Sequence, residues 1–396
     1  MEKKRMGRGN HIDALSSKEH NRKLLLRHIL VGRMSRIQLA VLTGLTRAGT
    51  GVIVDSLIKE GLLDETVSKR PVKGCQPRLL SIRDDALYAA GINITRSGSA
   101  VGICGLNGKI IVQKSIHIKG FKDAGEISAL LAKELEQIIE TNGIPRKKII
   151  GAGITTPGPV DAVNGIILNP PDFKIWKNYP VKKFFEQRIK LPVYPENNAL
   201  ARTLEEQFYG LGKDFENFVC LVVDNGVGGG VVINNKLLRG SDGFGGEPGH
   251  TTVDIHGERC YCGNIGCLEL YVDPKKYIRE ARRAGYPSIK SWDEIAGRAN
   301  KGEEFFKKMV QTMADFIGCG CVNLVNQFEP ETVILIGELN RNEELLIKLI
   351  QDHVDKHAIN RNVRHIRIMA SKLASNQGVL AAAVVPFNSY LSSPVN

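Results

Sequence analysis

The chain has 396 residues, 42% hydrophobic and 24% charged with no biased tract, which suggests a soluble globular protein of two or three domains. No apolar run approaches the roughly 18 residues a bilayer crossing needs. The basic start MEKKRMGRGN leads into polar sequence, so a cytoplasmic protein with no signal peptide and no membrane partner is expected. The net charge of +12 is uneven: residues 1–80 carry 16 Lys and Arg against 7 Asp and Glu, and the remaining 316 residues contribute only +3. A polyanion partner for the N-terminal fifth is the natural expectation.

Residues 17–33 predict an amphipathic helix, with Leu24, Leu25, His28 and Ile29 at helical spacing and Gly32 ending it. Ser35 is placed to cap a second, shorter helix carrying Ile37, Leu39, Ala40 and Leu42. Thr43-Gly44-Leu45 reads as a tight turn, because Gly44 can take a positive φ. Thr46 then caps a third helix with the apolar stripe Val52, Ile53, Leu57 and Ile58, stopped by Gly61 before an extended segment.

This order of helix, short helix, glycine turn, helix and ribbon is the winged helix-turn-helix pattern, whose third helix enters the major groove. Three-helix pieces also serve as dimerisation modules, but the coincident charge favours double-stranded operator DNA. On that reading Thr46, Arg47 and Thr50 face bases or phosphates, and Arg36 meets the backbone. Arg70, Lys73 and Arg78, with Lys69, reach from the ribbon to phosphates or the minor groove. Gly49 and Gly51 stand inside the reading helix at a cost of about 1 kcal/mol each against Ala. They either admit close approach of DNA or delay the helix start.

From Leu87 the texture changes. AAGINITRSGSAVGICGLNGKIIVQKSIHI (89–118) reads as three strands with a hairpin signal at Asn107-Gly108. FVCLVVDNGVGGGVVINNKLLRG (218–240) repeats the plan, with an Asn234-Asn235 turn. Helical patterns follow at 124–142 and 303–325. Two copies of a meander-plus-helix unit predict two α/β lobes facing each other across a ligand-binding cleft.

The second lobe carries a cluster of thiols, His250-x9-Cys260-x-Cys262-x4-Cys267. Cys75, Cys104, Cys220, Cys319 and Cys321 are scattered and read as free thiols. A disulfide between Cys260 and Cys262 is strained, and redox pairs more often show Cys-x-x-Cys. Free thiols and a redox pair stay open, but three thiolates and one imidazole suit a structural zinc with no vacant coordination position. Gly263 and Gly266 permit the tight backbone path between these residues.

The winged helix, GAGITTPGPVD (151–161), PENNA (195–199), GEPGH (246–250) and CYCGNIGCLE (260–269) together resemble the ROK family of repressors, open reading frames and sugar kinases, in its repressor branch. The resemblance spans essentially the whole chain. It implies an actin-like ATPase fold with two ribonuclease-H-like lobes, and its Cys-x-Cys-Gly-x-x-Gly-Cys-x-Glu pattern is matched at every fixed position, which implies structural Zn2+. It also implies that Glu247, His250 and Glu269 contact a sugar, with Thr156, Gly158, Asn197 and Asn198 on the same site. Zinc ties the ends of one segment together and so draws Glu247 and Glu269 toward one place, where carboxylates accept charge-assisted bonds from hydroxyls. His250 can give one nitrogen to the metal and the other to a hydroxyl.

The kinase positions of the family depart here. Its Asn-Asp pair reads Asn197-Asn198, and an amide cannot take a proton from an attacking hydroxyl. Its Asp-x-Gly-Gly-Thr loop reads Asn93-Ile94-Thr95-Arg96-Ser97. The second loop, Asp224 to Gly230, lacks the Gly-Thr-Gly start, and the paired adenosine glycines read Gly337-Glu338.

The expected protein is therefore a sugar-responsive transcriptional repressor and not an enzyme. It has a winged helix at 1–82, a first lobe at 83–200 and a second at 201–396, whose last helix returns to the first lobe. Its expected partners are operator DNA, a monosaccharide or polyol effector, and further copies of itself in a homodimer or higher oligomer. A sugar kinase with an accessory DNA-binding domain, and a scaffold controlled by another protein, are the alternatives.

Overall fold

The computed structural model describes residues 14–67, 76–96, 98–171, 173–224, 226–241, 243, 245–337, 339, 344–359, 361–373 and 378–392. Lys69, Arg70 and Lys73 of the ribbon lie outside them, as do Ser97, Asn225 and Glu338. The chain forms two compact units, Met1–Tyr88 with Gly105–Lys109 and Phe387–Asn396, and Ala89–Cys104 with Ile110–Pro386.

The first unit contains α1 (Ala14–Val31), α2 (Arg36–Thr43), α3 (Arg47–Lys59) and an antiparallel hairpin of β1 (Leu63–Val67) and β2 (Arg78–Ile82). A capping box starts α2: Ser35 Oγ accepts from the Gln38 amide, and the Gln38 side chain accepts from the Ser35 amide. Gly44 closes α2 at φ 70°. Thr46 Oγ1 accepts from Gly49 N at 3.1 Å and starts α3. The chain turns through 119° between α2 and α3, as helix-turn-helix pairs do. Leu25, Leu26, Leu39, Val54, Leu57, Leu63 and Leu80 are buried in its core. Arg22 on α1 reaches Glu60 beyond α3 at 2.7 Å and fastens the outer edge.

In the second unit, β3 (Tyr88–Ile94), β4 (Ser99–Gly105) and β5 (Ile110–Ile116) form a meander, followed by α4 (Ala124–Thr141) and β6 (Ile149–Thr156). A small hairpin of β7 (Val160–Asp161) and β8 (Ile166–Ile167), then α5 (Val181–Ile189), lead to β9 (Val193–Asn197). These strands make one five-stranded sheet in the order β5-β4-β3-β6-β9. After α6 (Asn198–Tyr209), the second lobe repeats the plan with β10 (Phe218–Val223), β11 (Val227–Ile233) and β12 (Lys236–Leu237). Helices α7 (Leu268–Val272), α8 (Pro274–Arg283), α9 (Trp292–Asn300) and α10 (Glu304–Phe328) precede β13 (Thr332–Gly337), α11 (Glu344–His357), β14 (Arg367–Ala370) and α12 (Val379–Leu391). Its sheet order is β12-β11-β10-β13-β14, strand for strand the same as the first. Asn234 and Asn235 turn β11 into β12 with φ of 51° and 61°, the double left-handed conformation a two-residue hairpin demands.

Two glycine seams hold helices against these sheets. A Cβ on Gly153 of β6 would collide with the Ala382 carbonyl of α12, and one on Gly91 of β3 with that of Val379. On the second sheet, a side chain on Gly228 would meet Ala199, and one on Gly230 would meet Thr203, both of α6. The glycine run of β11 is thus a helix-packing surface. Among the described residues no single helix is long and apolar enough to cross a membrane.

The seams predict an asymmetry between glycines. Gly153→Ala forces backbone apart and costs about 3 kcal/mol or more, as severe overpacking does. Gly51 of α3 has nothing within 4 Å of an added Cβ, so Gly51→Ala stabilises by up to about 1 kcal/mol through helix propensity. Thermal melts of the two variants against the wild type check both signs.

Candidate functional site

His250 ends a short turn after Glu247, Cys260 and Cys262 stand on the loop that follows, and Cys267 precedes α7. One ligand atom from each of the four lies within 4.8 Å of the others. Cys262 Sγ and Cys267 Sγ are 3.7 Å apart, and His250 Nδ1 is 3.7 Å from Cys260 Sγ. A tetrahedral ion with Zn–S bonds of about 2.3 Å sets its sulfurs about 3.8 Å apart, so this donor set fits zinc. Gly266, at φ +63°, lies so close to the Asp254 carbonyl that no side chain fits, which lets the loop fold back on itself. Asn264 Nδ2 donates to the His250 carbonyl at 3.0 Å and braces the loop. Burial pushes the Cys267 thiol up to about 12, so a cation held here would have to displace its proton to gain a thiolate ligand.

The sugar-side residues converge beside this cluster. The parallel pair β6–β9 places Thr156 opposite Asn197. Asn197 caps α6, its Oδ1 accepting from Ala199 N at 2.7 Å, and Asn198 is the first residue of that helix. Asn197 Nδ2 and the Glu247 carboxylate lie against Gly158, where an added Cβ would collide with the amide. Gly229 N donates to Gly246 O at 3.1 Å, and Pro248 and Gly249 sit directly on β11, so the second glycine seam also seats the GEPGH turn. Glu269 accepts from Val227 N at 2.7 Å. Thr156 is a correction: it is fully buried, because it ends β6, an interior strand of its sheet, with its hydroxyl turned toward the Pro157 carbonyl at 3.4 Å.

Glu247 is pushed up to about 7, first by burial and then by the like charge of Glu269. The residue as a whole is exposed, so solvent screens the size of this effect, while its direction follows from the protein crowded around the carboxylate.

Sequence reasoning missed two neighbours. Tyr261 lies inside the Cys-x-Cys step, with its hydroxyl 3.2 Å from His250 Nε2. Glu196, 2% exposed at the end of β9, accepts from Asn197 N at 3.0 Å and pairs with Arg239, which follows β12. That ion pair joins the two lobes. Both residues lie inside or beside quoted motifs, at positions the spacing left unspecified.

The residues that align by sequence with the family's first phosphate loop make contacts within the protein. Asn93 Oδ1 accepts from Thr155 Oγ1 at 2.8 Å, and Arg96 donates twice to the Pro171 carbonyl, at 2.8 and 3.0 Å. Thr95 and Gly98 close the intervening turn on themselves, Thr95 N donating to Gly98 O at 2.9 Å.

On the first unit, Thr46 and Arg47 are exposed at the start of α3, with Ala48 and Val52 beside them. Two expected DNA contacts are corrected. Thr50 is fully buried, because the inward stripe of α3 runs Thr50, Ile53, Val54 and Leu57, leaving Val52 outside. Arg36 is held by Asp55 at 2.7 Å and Glu65 at 2.8 Å, so its guanidinium ties α2 to α3 and β1. Arg78 is exposed, 3.7 Å from Glu65.

Two outcomes follow. Purified protein should carry zinc by atomic absorption, and Cys260→Ser should lose it, together with at least about tenfold in affinity for any sugar that the wild type binds; zinc content unchanged in the variant rejects this ligand set. For Glu247, the folded-state pKa lies above the ordinary 4.5. The stability it contributes is then complete below about 4.5 and lost as pH rises through about 7. Glu247→Gln should gain melting temperature relative to the wild type across that interval, as calorimetry at matched pH will register.

Residues 89–386 match the ROK family. The xylose repressor of Caldicellulosiruptor bescii is 30% identical over 399 residues, covering 98% of this chain and 99% of the repressor. The glucokinase of Thermotoga maritima is 28% identical over 314 residues, covering 76% of this chain and 97% of the kinase. A solved ROK family transcriptional regulator, a homolog of the E. coli MLC protein, has a TM-score of 0.77 over 95% of this chain and 97% of its own at 24% identity, a likeness of fold. The chain belongs to the ROK family.

Proposed function

We propose that this protein is a sugar-responsive transcriptional repressor that binds operator DNA through α3 and the β1–β2 wing and a monosaccharide or polyol in the cleft of the second unit. One observation carries the reading. A relative named as a repressor aligns with the chain almost end to end, over the basic winged helix as well as the lobes, whereas a glucokinase matches 76% of it. Hydroxyl-binding groups, Asn197, Glu247, His250 and Glu269, surround a position where phosphotransfer requires an acid and the sequence supplies the amide of Asn198. A pocket kept without its general base suits sensing.

In this reading Zn2+ on His250, Cys260, Cys262 and Cys267 is structural, and with four protein ligands no position is left to activate water. Thr46, Arg47 and Arg78, with the ribbon residues Arg70 and Lys73, make the DNA contacts. Two chains bind two half-sites, so the working form is a homodimer or higher oligomer in the cytoplasm. Effector-driven lobe closure alters how well both winged helices fit at once. Moving a 1:99 balance of states to 99:1 needs about 5.5 kcal/mol of differential binding.

A coupled ATPase assay across a hexose and pentose panel discriminates this from a kinase. No turnover is expected, and catalytic formation of any sugar phosphate would overturn the reading. On the DNA side, Arg47→Ala should weaken duplex binding at least about tenfold and flatten its salt dependence by about one counterion, measured by fluorescence anisotropy on a duplex selected from a random pool.

A further inference from the structure

We propose that Tyr261 is an internal competitor for the sugar hydroxyl that His250 and Glu269 recognise, and that it sets the effector concentration to which the site responds; this rests on the sugar-site reading above. Tyr261 stands between two of the thiols in the cluster, so the loop pins its backbone. The residue is 55% exposed, yet its hydroxyl points inward, 3.2 Å from His250 Nε2. The two rings meet edge to face, with centroids 5.3 Å apart and planes at 88°.

The directions of these bonds follow from chemistry. His250 Nδ1 faces the thiols, 3.7 Å from Cys260 Sγ, so the neutral imidazole carries its proton on Nε2 and donates to the phenol oxygen. The Glu269 carboxylate, fixed by accepting from Val227 N at 2.7 Å, places its negative charge close to the same phenol. Accepting from this imidazole beside a carboxylate is what a sugar hydroxyl would do there. Tyr261 thus satisfies the His250 nitrogen that an empty site would otherwise leave to water. A ligand hydroxyl gains only the difference between its own bonds and those it displaces. With half its ring in solvent, Tyr261 loses little packing when it swings aside.

Calorimetric titration of the zinc-loaded full chain with D-xylose, D-glucose and their monodeoxy analogues tests the idea in the wild type, Tyr261→Phe and Tyr261→Ala. With the competitor's hydroxyl gone, both variants should bind the parent sugar roughly 3- to 10-fold more tightly. Removing one particular hydroxyl from the sugar should then cost the variants more than the wild type by a similar factor, because in the wild type Tyr261 returns to the vacated position. Sugar binding that is unchanged or weaker in both variants overturns the competitor role and leaves the sugar site standing. Failure of all three proteins to bind any of these sugars overturns the sugar-site reading, and the inference falls with it.

Discussion

The convergence of His250, Cys260, Cys262 and Cys267 within 4.8 Å is the constraint on which the site depends. Glu247 lies three residues before this set, Tyr261 inside it, and Glu269 two residues after. Once the four ligand atoms meet, the backbone between them has no slack, and Glu247, His250 and Glu269 are placed by the same segment, opposite Asn197 at the start of α6. Loss of any thiol would therefore release the acceptors as a group.

The glycine run of β11 supports that loop from below. Gly229 lies against Pro248, and Gly228 and Gly230 lie against α6, so one strand seats both the GEPGH turn and the helix that Asn197 caps. The same glycines that suggest a phosphate loop in the linear sequence act here as close-packing positions between helix and sheet. Asn93 and Arg96 likewise make contacts within the protein, to Thr155 and to the Pro171 carbonyl. The buried Glu196 and its partner Arg239 span the lobes one residue from Asn197, linking the geometry of the cleft to the spacing of its walls. These features fit a domain that changes shape around a ligand without transforming it.

Much of this was legible in the residues. Ser35, Gly44 and Thr46 announced the helix boundaries because caps and left-handed turns have narrow chemistry. Asn234-Asn235 announced its hairpin for the same reason. The thiol cluster was legible because ligand spacing is set by ion geometry. The errors came where only three-dimensional packing decides. The expected stripe of α3 holds at Ile53 and Leu57 but includes the exposed Val52 in place of Thr50 and Val54, so Thr50, expected at DNA, lies in the core. Arg36 was counted as a free cation because Asp55 and Glu65 are distant in sequence. Thr156 was treated as a contact because it belongs to a quoted motif, although its strand buries it. Tyr261 went unnoticed because spacing specifies the cysteines and says nothing of the residue between them.

The central claim is that occupancy of the cleft is communicated to DNA. Its most direct test is the affinity of the intact chain for a selected duplex, measured with and without a panel of monosaccharides, in the wild type and in Glu269→Gln. The account predicts that at least one sugar shifts the wild-type Kd by about tenfold or more, a coupling within the range of allosteric proteins, and that the shift largely disappears in the variant. Duplex affinity indifferent to every sugar, or an equal response in both proteins, would contradict it.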